Sequence, residues 1–229
     1  MIILNYLLIL TIFPIFYLCK YISDKDINKE PKKLLRRIFI MSIFSVVPII
    51  FLEIELMKYF PADDASLDFT NLFINIFISI ALVEEGFKYI IAMINCYFNK
   101  EFDEFYDGIV YGVYASLGFA LVENILYVFN NFDAAYSTAI LRAIISIPGH
   151  ACFGIVIGYF IAKAKFSNKN KSINLILGLL VPAILHTIYD SLLFYSSDLC
   201  VILFFLFYII MFIYCFILVK KVSRNQYHE

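Results

Sequence analysis

The chain has 229 residues, of which 62% are hydrophobic and only 16% charged, and its mean hydropathy is +0.85. Soluble domains are about 45–50% apolar and about 25% charged, so this composition excludes an ordinary water-soluble fold, which could not hide so much apolar surface. The net charge of −1 says nothing in favour of a nucleic-acid partner, and none is expected. The predicted fold is an all-α, polytopic transmembrane helical bundle in a lipid bilayer.

Seven apolar stretches come close to the roughly 20 residues that a membrane-spanning helix needs. In chain order they cover approximately residues 2–21, 38–59, 70–97, 107–129, 138–162, 173–195 and 199–219. The linkers between them are too short for a second soluble domain. Residues 1–229 are therefore predicted to form one integral membrane domain, with the motif-bearing helical core at about 70–195.

The placement of Lys and Arg predicts the orientation of the chain, because cytoplasmic loops of membrane proteins are enriched in both residues. Basic residues are frequent near 23–37, 163–171 and 220–224. No Lys or Arg occurs near 60–69, 130–137 and 196–198. The loop near 98–106, with Lys100 alone, is the weakest member of the basic set. The alternation predicts about seven spans, an outside N-terminus and a cytoplasmic C-terminus.

The third stretch carries charged residues where a span is usually apolar. Glu84 and Glu85 lie near its middle, and Lys88 follows on the same helix face. A charge at the bilayer centre costs about 2.5–3.5 kcal/mol on insertion scales, so such residues are rare and usually functional. A structural ion pair is the alternative, but one glutamate would suffice for it. The second carboxylate therefore favours a general base for water or a metal ligand.

The fourth stretch holds Glu123 and Asn124 deep within its apolar sequence. Glu123 is either a functional acid or a hydrogen-bonded packing residue. The same stretch has a stripe of small residues that predicts close helix packing: Gly108, Gly112, Ala115 and Gly118.

Two histidines lie inside the fifth and sixth stretches. His150 directly follows Pro148 and Gly149, a pair that predicts an irregular helix facing protein or a water-filled cavity. His186 and Asp190 are four residues apart and share a helix face, so the carboxylate fixes the ring tautomer or both side chains bind a metal. Structural histidines are the alternative at both places. His228, in the tail, is predicted to be inert.

Six ionisable residues from four successive stretches are thus predicted to surround one cavity: Glu84, Glu85, Glu123, His150, His186 and Asp190. Carboxylates and imidazoles activate water as bases or as metal ligands, which favours a hydrolase. Intramembrane acids and histidines also build proton relays, so a proton-coupled transporter is an alternative, weakened by the lack of an inverted repeat. A non-catalytic membrane scaffold would leave the insertion cost of the acids unexplained.

Four motifs resemble the PrsW family of bacterial intramembrane proteases in order and spacing. They are EEGFK at 84–88, FALVEN at 119–124, His150 after Pro-Gly, and HTIYD at 186–190. The family is distantly similar to the CAAX-processing membrane endopeptidases. Glu123 stands where those enzymes carry histidine, which argues against the processing of prenylated substrates.

The resemblance implies a multi-pass peptidase of the bacterial plasma membrane that hydrolyses a peptide bond of a single-span membrane protein. The expected substrate is an anti-sigma factor, cut at its first site. Glu84 and Glu85 would activate the attacking water, and His150 and His186 would bind a metal or polarise the scissile carbonyl.

The resemblance also implies supporting roles for four residues: Lys88, Glu123, Asn124 and Asp190. Lys88 would balance charge, and Glu123 and Asp190 would bind a metal or orient its ligands. If a metal is present, zinc is the expected one, because histidine and carboxylate suit it. The ligands would be His150, His186 and Glu123.

Overall fold

The computed structural model describes residues 2–62, 64, 66–130, 132–167 and 169–226. The predicted all-α class is confirmed, since these residues are helical nearly throughout and no strand occurs among them. The six acids and histidines singled out in the sequence all lie on helices. His228, predicted to be inert, lies outside the described residues.

The described residues form nine α-helices in chain order. They are α1 (Ile2–Asp24), α2 (Lys32–Met57), α3 (Phe69–Ile76), α4 (Leu82–Cys96), α5 (Phe105–Asn130), α6 (Ala135–Leu141), α7 (Ile147–Phe166), α8 (Lys171–Phe194) and α9 (Asp198–Asn225). Two π-helical turns, Phe77–Ala81 and Arg142–Ser146, join α3 to α4 and α6 to α7. Such turns widen a helix locally and frequently occur at functional sites.

Five helical segments of the described chain are long and apolar enough to cross a membrane. They are Lys32–Met57, Phe105–Asn130, Ala135–Phe166, Lys171–Phe194 and Asp198–Asn225. These segments correspond to the second, fourth, fifth, sixth and seventh predicted stretches. The first and third stretches are also helical, over 2–24 and 69–96. The count of seven spans and the orientation of the termini stay predictions.

Local chemistry favours the start of α3 and the end of α7. Asp68 precedes α3, and its Oδ1 accepts a hydrogen bond from the backbone N–H of Asn71 at 2.9 Å. This bond holds the pKa of Asp68 below its ordinary value. Helix α7 has Lys163 and Lys165 in its last turn, where cations interact favourably with the helix dipole.

Helix α5 is the centre of the bundle and packs most closely against α7. The contact depends on glycines, because a Cβ added to Gly158 of α7 would lie 1.9 Å from the carbonyl oxygen of Gly108. A Cβ added to Gly112 would lie 2.1 Å from the carbonyl oxygen of Gly154. On the side of α5 that faces α2, a Cβ on Gly118 would lie 2.5 Å from the Phe39 carbonyl oxygen. The predicted packing role of the small-residue stripe is confirmed.

We expect Gly158→Ala to lower the free energy of unfolding by about 3 kcal/mol, the upper end of the usual cost of overpacking. The reason is that the neighbouring atom is a backbone carbonyl, which cannot turn aside as a flexible side chain can. Gly86→Ala is the matched control, since its nearest neighbour would be Leu179 Cδ1 at 3.9 Å. Unfolding in detergent micelles measures the free energy of unfolding of both variants. Equal stability of the two variants would contradict the close approach of α5 and α7.

Candidate active site

The paired glutamates of α4 both bind the ammonium group of Lys88. Lys88 Nζ donates to Glu84 Oε2 at 2.9 Å and to Glu85 Oε1 at 2.7 Å. The spacings of four and three residues place all three side chains on one helix face, as the sequence predicts. Lys88 and Glu85 are completely buried, whereas Glu84 is 5% exposed. One ammonium faces two carboxylates, so charges of unequal number are buried in the centre of the bundle.

The imidazole of His186 links the acids of α4 and α8. Its Nδ1 lies 2.9 Å from Glu85 Oε1, and its Nε2 lies 3.2 Å from Asp190 Oδ2. Asp190 follows one helical turn after His186, which explains the second contact. Because an acid faces each ring nitrogen, the orientation of the ring is fixed from both sides.

A second ion-pair network begins at Glu123 of α5. Glu123 Oε2 lies 2.8 Å from His150 Nε2 and accepts a hydrogen bond from Arg142 Nη2 at 2.6 Å. Arg142 also donates through Nε to the Asn124 side-chain oxygen. On the other side of the ring, His150 Nδ1 lies 3.3 Å from Lys88 Nζ. His150 therefore connects the network of α5 to that of α4.

Aromatic rings close the network from the side. Lys88 Nζ lies 4.2 Å from the centroid of the Phe119 ring, a distance typical of a cation–π interaction. The rings of Phe153 and His186 stack with centroids 4.9 Å apart, and those of His150 and His186 lie 5.9 Å apart. Apolar walls of this kind exclude water and strengthen the electrostatic interactions between the enclosed charges.

A cavity of about 470 Å³ lies against these side chains. Its polar lining consists of Glu84, Glu123, Arg142, Ser146, His150, His186 and Asp190, with Tyr127 and Tyr189 beside them. The rest of the wall is mostly apolar. Glu85 does not line the cavity but lies directly behind it, in contact with Lys88 and His186. Five of the six predicted residues, from four helical stretches, line this one cavity, and the sixth, Glu85, contacts the network from behind it. Their catalytic roles stay predictions.

Two residues of this region were missed by sequence reasoning. Arg142 is an isolated cation in the fifth apolar stretch, eight residues before His150, and that isolation was the available signal. Glu53 lies inside the second stretch, where the charges of Glu84 and Glu123 act on it. Its Oε1 is buried and has no hydrogen-bond partner among the described residues. Helix α2 therefore adds a further acid beside the network.

One group of possible metal ligands in this region consists of Glu84, Glu85 and His150, each offering an atom within 4.8 Å of the other two. Carboxylates and imidazole fit a metal of the zinc type, and Glu85 Oε2 is buried without a partner in the described chain. The Lys88 ammonium binds the same three groups and would compete with a metal.

The ligand set predicted from sequence differs from the group formed by Glu84, Glu85 and His150. His186 directs its two nitrogens to Glu85 and Asp190, and Glu123 is held by Arg142 and His150. A metal bound by His150, His186 and Glu123 therefore stays a prediction.

Comparisons with known proteins identify a matching family and several relatives of this chain. A family model described as PrsW family intramembrane metalloprotease matches residues 30–219. Protease PrsW of Oceanobacillus iheyensis is 42% identical over 182 residues, covering 80% of both chains. Protease PrsW of Clostridioides difficile is 37% identical over 209 residues, covering 90% of this chain and 86% of its own. Protease PrsW of Bacillus subtilis is 37% identical over 174 residues, with 76% and 75% covered. No solved structure matches the chain.

Proposed function

Because this chain belongs to the PrsW family of intramembrane proteases, and is therefore a peptidase, we propose that it cuts a single-span membrane protein at a bond that enters the cavity beside α4, α5, α7 and α8. The observation that carries this proposal is the meeting of buried acids and imidazoles in one cavity of mostly apolar wall. An apolar wall accepts the apolar sequence of a membrane-spanning substrate, and the polar groups supply the chemistry.

The proposed topology has seven spans in the bacterial plasma membrane, with the N-terminus outside. It is supported by the alternation of basic and non-basic loops along the chain. Met57, Ala62 and Phe194 line the cavity, and all three lie next to loops that this topology places outside. We therefore propose that the cavity receives its substrate from the outer half of the bilayer.

The proposed general base is Glu84. It lines the cavity, whereas Glu85 is completely buried behind it, so of these two glutamates Glu84 is the one placed to meet an incoming water. Glu84 would take the proton as the water oxygen attacks the scissile carbonyl carbon, and would return it to the leaving amine. Arg142 and His186 face the same cavity and would stabilise the negative charge that develops on the carbonyl oxygen.

Glu85, Lys88 and Asp190 are proposed to act as positioning residues. Lys88 fixes both glutamates by direct hydrogen bonds, while Glu85 and Asp190 hold His186 between them. Positioning of this kind matters because a displacement of about 1 Å can cost about 10²-fold in rate.

As the alternative to Glu84 acting as the base, we propose that a zinc-type metal replaces the Lys88 ammonium between Glu84, Glu85 and His150, whose donor groups suit it. Bound there, the metal would supply a Lewis acid and make water more acidic. We expect elemental mass spectrometry of the purified, active protein to find a transition metal, and Glu85→Gln to reduce its content. Fully active protein that contains no metal would contradict this proposal and leave the glutamate mechanism.

The proposed substrate is a single-span anti-sigma factor, as the family resemblance implies. The test uses purified protein in liposomes with a candidate anti-sigma factor that carries a tag at each end. We expect two tagged fragments from the membrane-inserted substrate and none from its soluble outer part alone. Cleavage of the soluble part at an equal rate would contradict a membrane-embedded substrate. If the anti-sigma factor stays intact while an unrelated single-span protein is cleaved, only the substrate assignment is contradicted.

We expect Arg142→Gln to lower the rate of cleavage about 10²-fold. The substitution removes the guanidinium from Glu123 and so releases the acid that holds His150. Arg36→Gln is the matched control, because Arg36 is exposed in the basic segment ahead of the second stretch. The liposome assay compares the two. A wild-type rate for Arg142→Gln would show that this network has no role in the reaction.

A further inference from the structure

A second group of acids lies at the end of the bundle where the α1–α2 and α4–α5 connections meet. One carboxylate oxygen from each of Asp26, Glu104 and Asp107 lies within 4.8 Å of the other two. Asp26 follows the end of α1, Glu104 immediately precedes α5, and Asp107 lies in the first turn of α5. The group has no residue in common with the candidate active site.

Most of the oxygens of this group have no hydrogen-bond donor. Asp26 is 3% exposed and Asp107 is completely buried. Within the described chain, both oxygens of Asp26, Glu104 Oε2 and Asp107 Oδ1 lack a partner at ordinary hydrogen-bond geometry. The remaining oxygen of Asp107 accepts the backbone N–H groups of Asp103 and Glu104 at 3.0 and 2.7 Å. Buried polar atoms are nearly always paired, so these oxygens are expected to contact a water molecule or an ion.

No Lys or Arg of the described residues forms an ion pair with the group. Among the described residues, no Lys or Arg nitrogen lies within 4.0 Å of the carboxylate oxygens of Asp26, Glu104 or Asp107. Two basic side chains of this part of the fold donate to backbone carbonyls instead. Lys29 Nζ donates to Ser23, and Lys165 Nζ donates to Asn99 at 3.1 Å. Like charges buried this closely repel one another, and either a bound cation or a proton on one carboxylate relieves the repulsion.

We propose that Asp26, Glu104 and Asp107 bind a divalent cation of the hard, oxygen-preferring class, such as Mg²⁺, Ca²⁺ or Mn²⁺. Carboxylate oxygens are the ligands that these ions prefer, and the group contains no His or Cys that would favour zinc or copper. The bound cation would join the connection ahead of α2 to the start of α5. It would thereby hold together two loops that the charge pattern places on the cytoplasmic side.

Thermal unfolding of the full chain in detergent tests the proposal, first with EDTA and then with each cation at neutral pH. We expect a cation to raise the unfolding midpoint of the wild type and to leave that of Asp26→Asn unchanged. In EDTA, Asp26→Asn is expected to be at least as stable as the wild type, because it removes one repelling charge. Glu101→Gln is the matched control, an acid of the same connection that stands outside the group. Glu101→Gln is expected to keep the rise of the unfolding midpoint on addition of a cation.

Titration with Mn²⁺, followed by electron paramagnetic resonance, separates this site from the candidate active site. We expect the affinity to fall in Asp26→Asn by at least about tenfold, the loss that results even from removing an outer partner of a metal ligand. Glu84→Gln is expected to keep this binding. Unchanged Mn²⁺ affinity in Asp26→Asn, or no shift of the wild-type midpoint with any of the three cations, would overturn the proposal.

Discussion

Replacing Glu84 by Gln is expected to lower the rate of cleavage about 10²- to 10⁴-fold, the usual contribution of a general base. The substitution keeps the size of the side chain and an oxygen that accepts from Lys88, but it removes the site that takes the proton from water. The change is expected in kcat, because the bound substrate meets the same cavity. Steady-state cleavage of a membrane-inserted peptide in liposomes measures it.

Glu55→Gln is the control for this substitution, since Glu55 pairs with Lys58 on an exposed part of α2. It should cleave at the wild-type rate. Both variants should also unfold in a cooperative transition, which shows that each is folded. A fully active, folded Glu84→Gln would contradict the assignment of the base and transfer the role to another acid of the cavity.

Replacing Lys88 by Met is expected to destabilise the protein by about 3–5 kcal/mol, because removing one partner of a buried ion pair leaves the other uncompensated. Here two carboxylates lose their shared ammonium group in the interior. Lys58→Met is the control, because its partner Glu55 is exposed and such surface pairs contribute about 0–1 kcal/mol. Unfolding of each variant in mixed micelles gives the two free energies.

A double variant shows whether the cost of Lys88→Met comes from buried charge. Adding Glu85→Gln to Lys88→Met removes one of the two uncompensated carboxylates. We expect the double variant to be more stable than Lys88→Met alone, although Glu85→Gln by itself should destabilise. If the losses of unfolding free energy caused by the two substitutions simply add in the double variant, then Lys88 stabilises the fold by packing and not by its charge.

Contacts within one helix could be predicted from the sequence, because helical geometry fixes them. Lys88 follows Glu84 and Asp190 follows His186 by four residues, and both pairs are in contact. The glycines of the fourth stretch likewise predicted close packing, and α7 approaches α5 there. In each case the periodicity of the helix determines which side chains are neighbours.

Contacts between helices could not be derived from spacing. The approach of His150 to both Lys88 and Glu123 depends on the rotation of α4, α5 and α7 about their axes, which no local pattern specifies. The π-helical turn at Arg142–Ser146 interrupts the 3.6-residue period just before His150. Residue counting across that turn therefore could not have placed Arg142 relative to His150.

The membrane spans could likewise be predicted from the sequence only in part. Length and hydropathy predicted all seven stretches as helical, and each is helical over nearly its whole length. Five meet the requirement for a membrane span on composition alone. The third stretch carries Glu84, Glu85 and Lys88, so its suitability for the bilayer depends on neighbours that cover these charges. Whether such a helix crosses the membrane is a property of the bundle and not of its own sequence.

Cleavage in water enriched in oxygen-18, stopped during turnover, tests most directly the idea that the clustered acids and imidazoles activate water. The masses of the product and of the protein itself are then measured. We expect one oxygen-18 atom at the new carboxyl terminus of the product, and an unmodified protein mass. A protein that carries a substrate fragment in covalent linkage would contradict it, because a side chain and not water would then be the nucleophile.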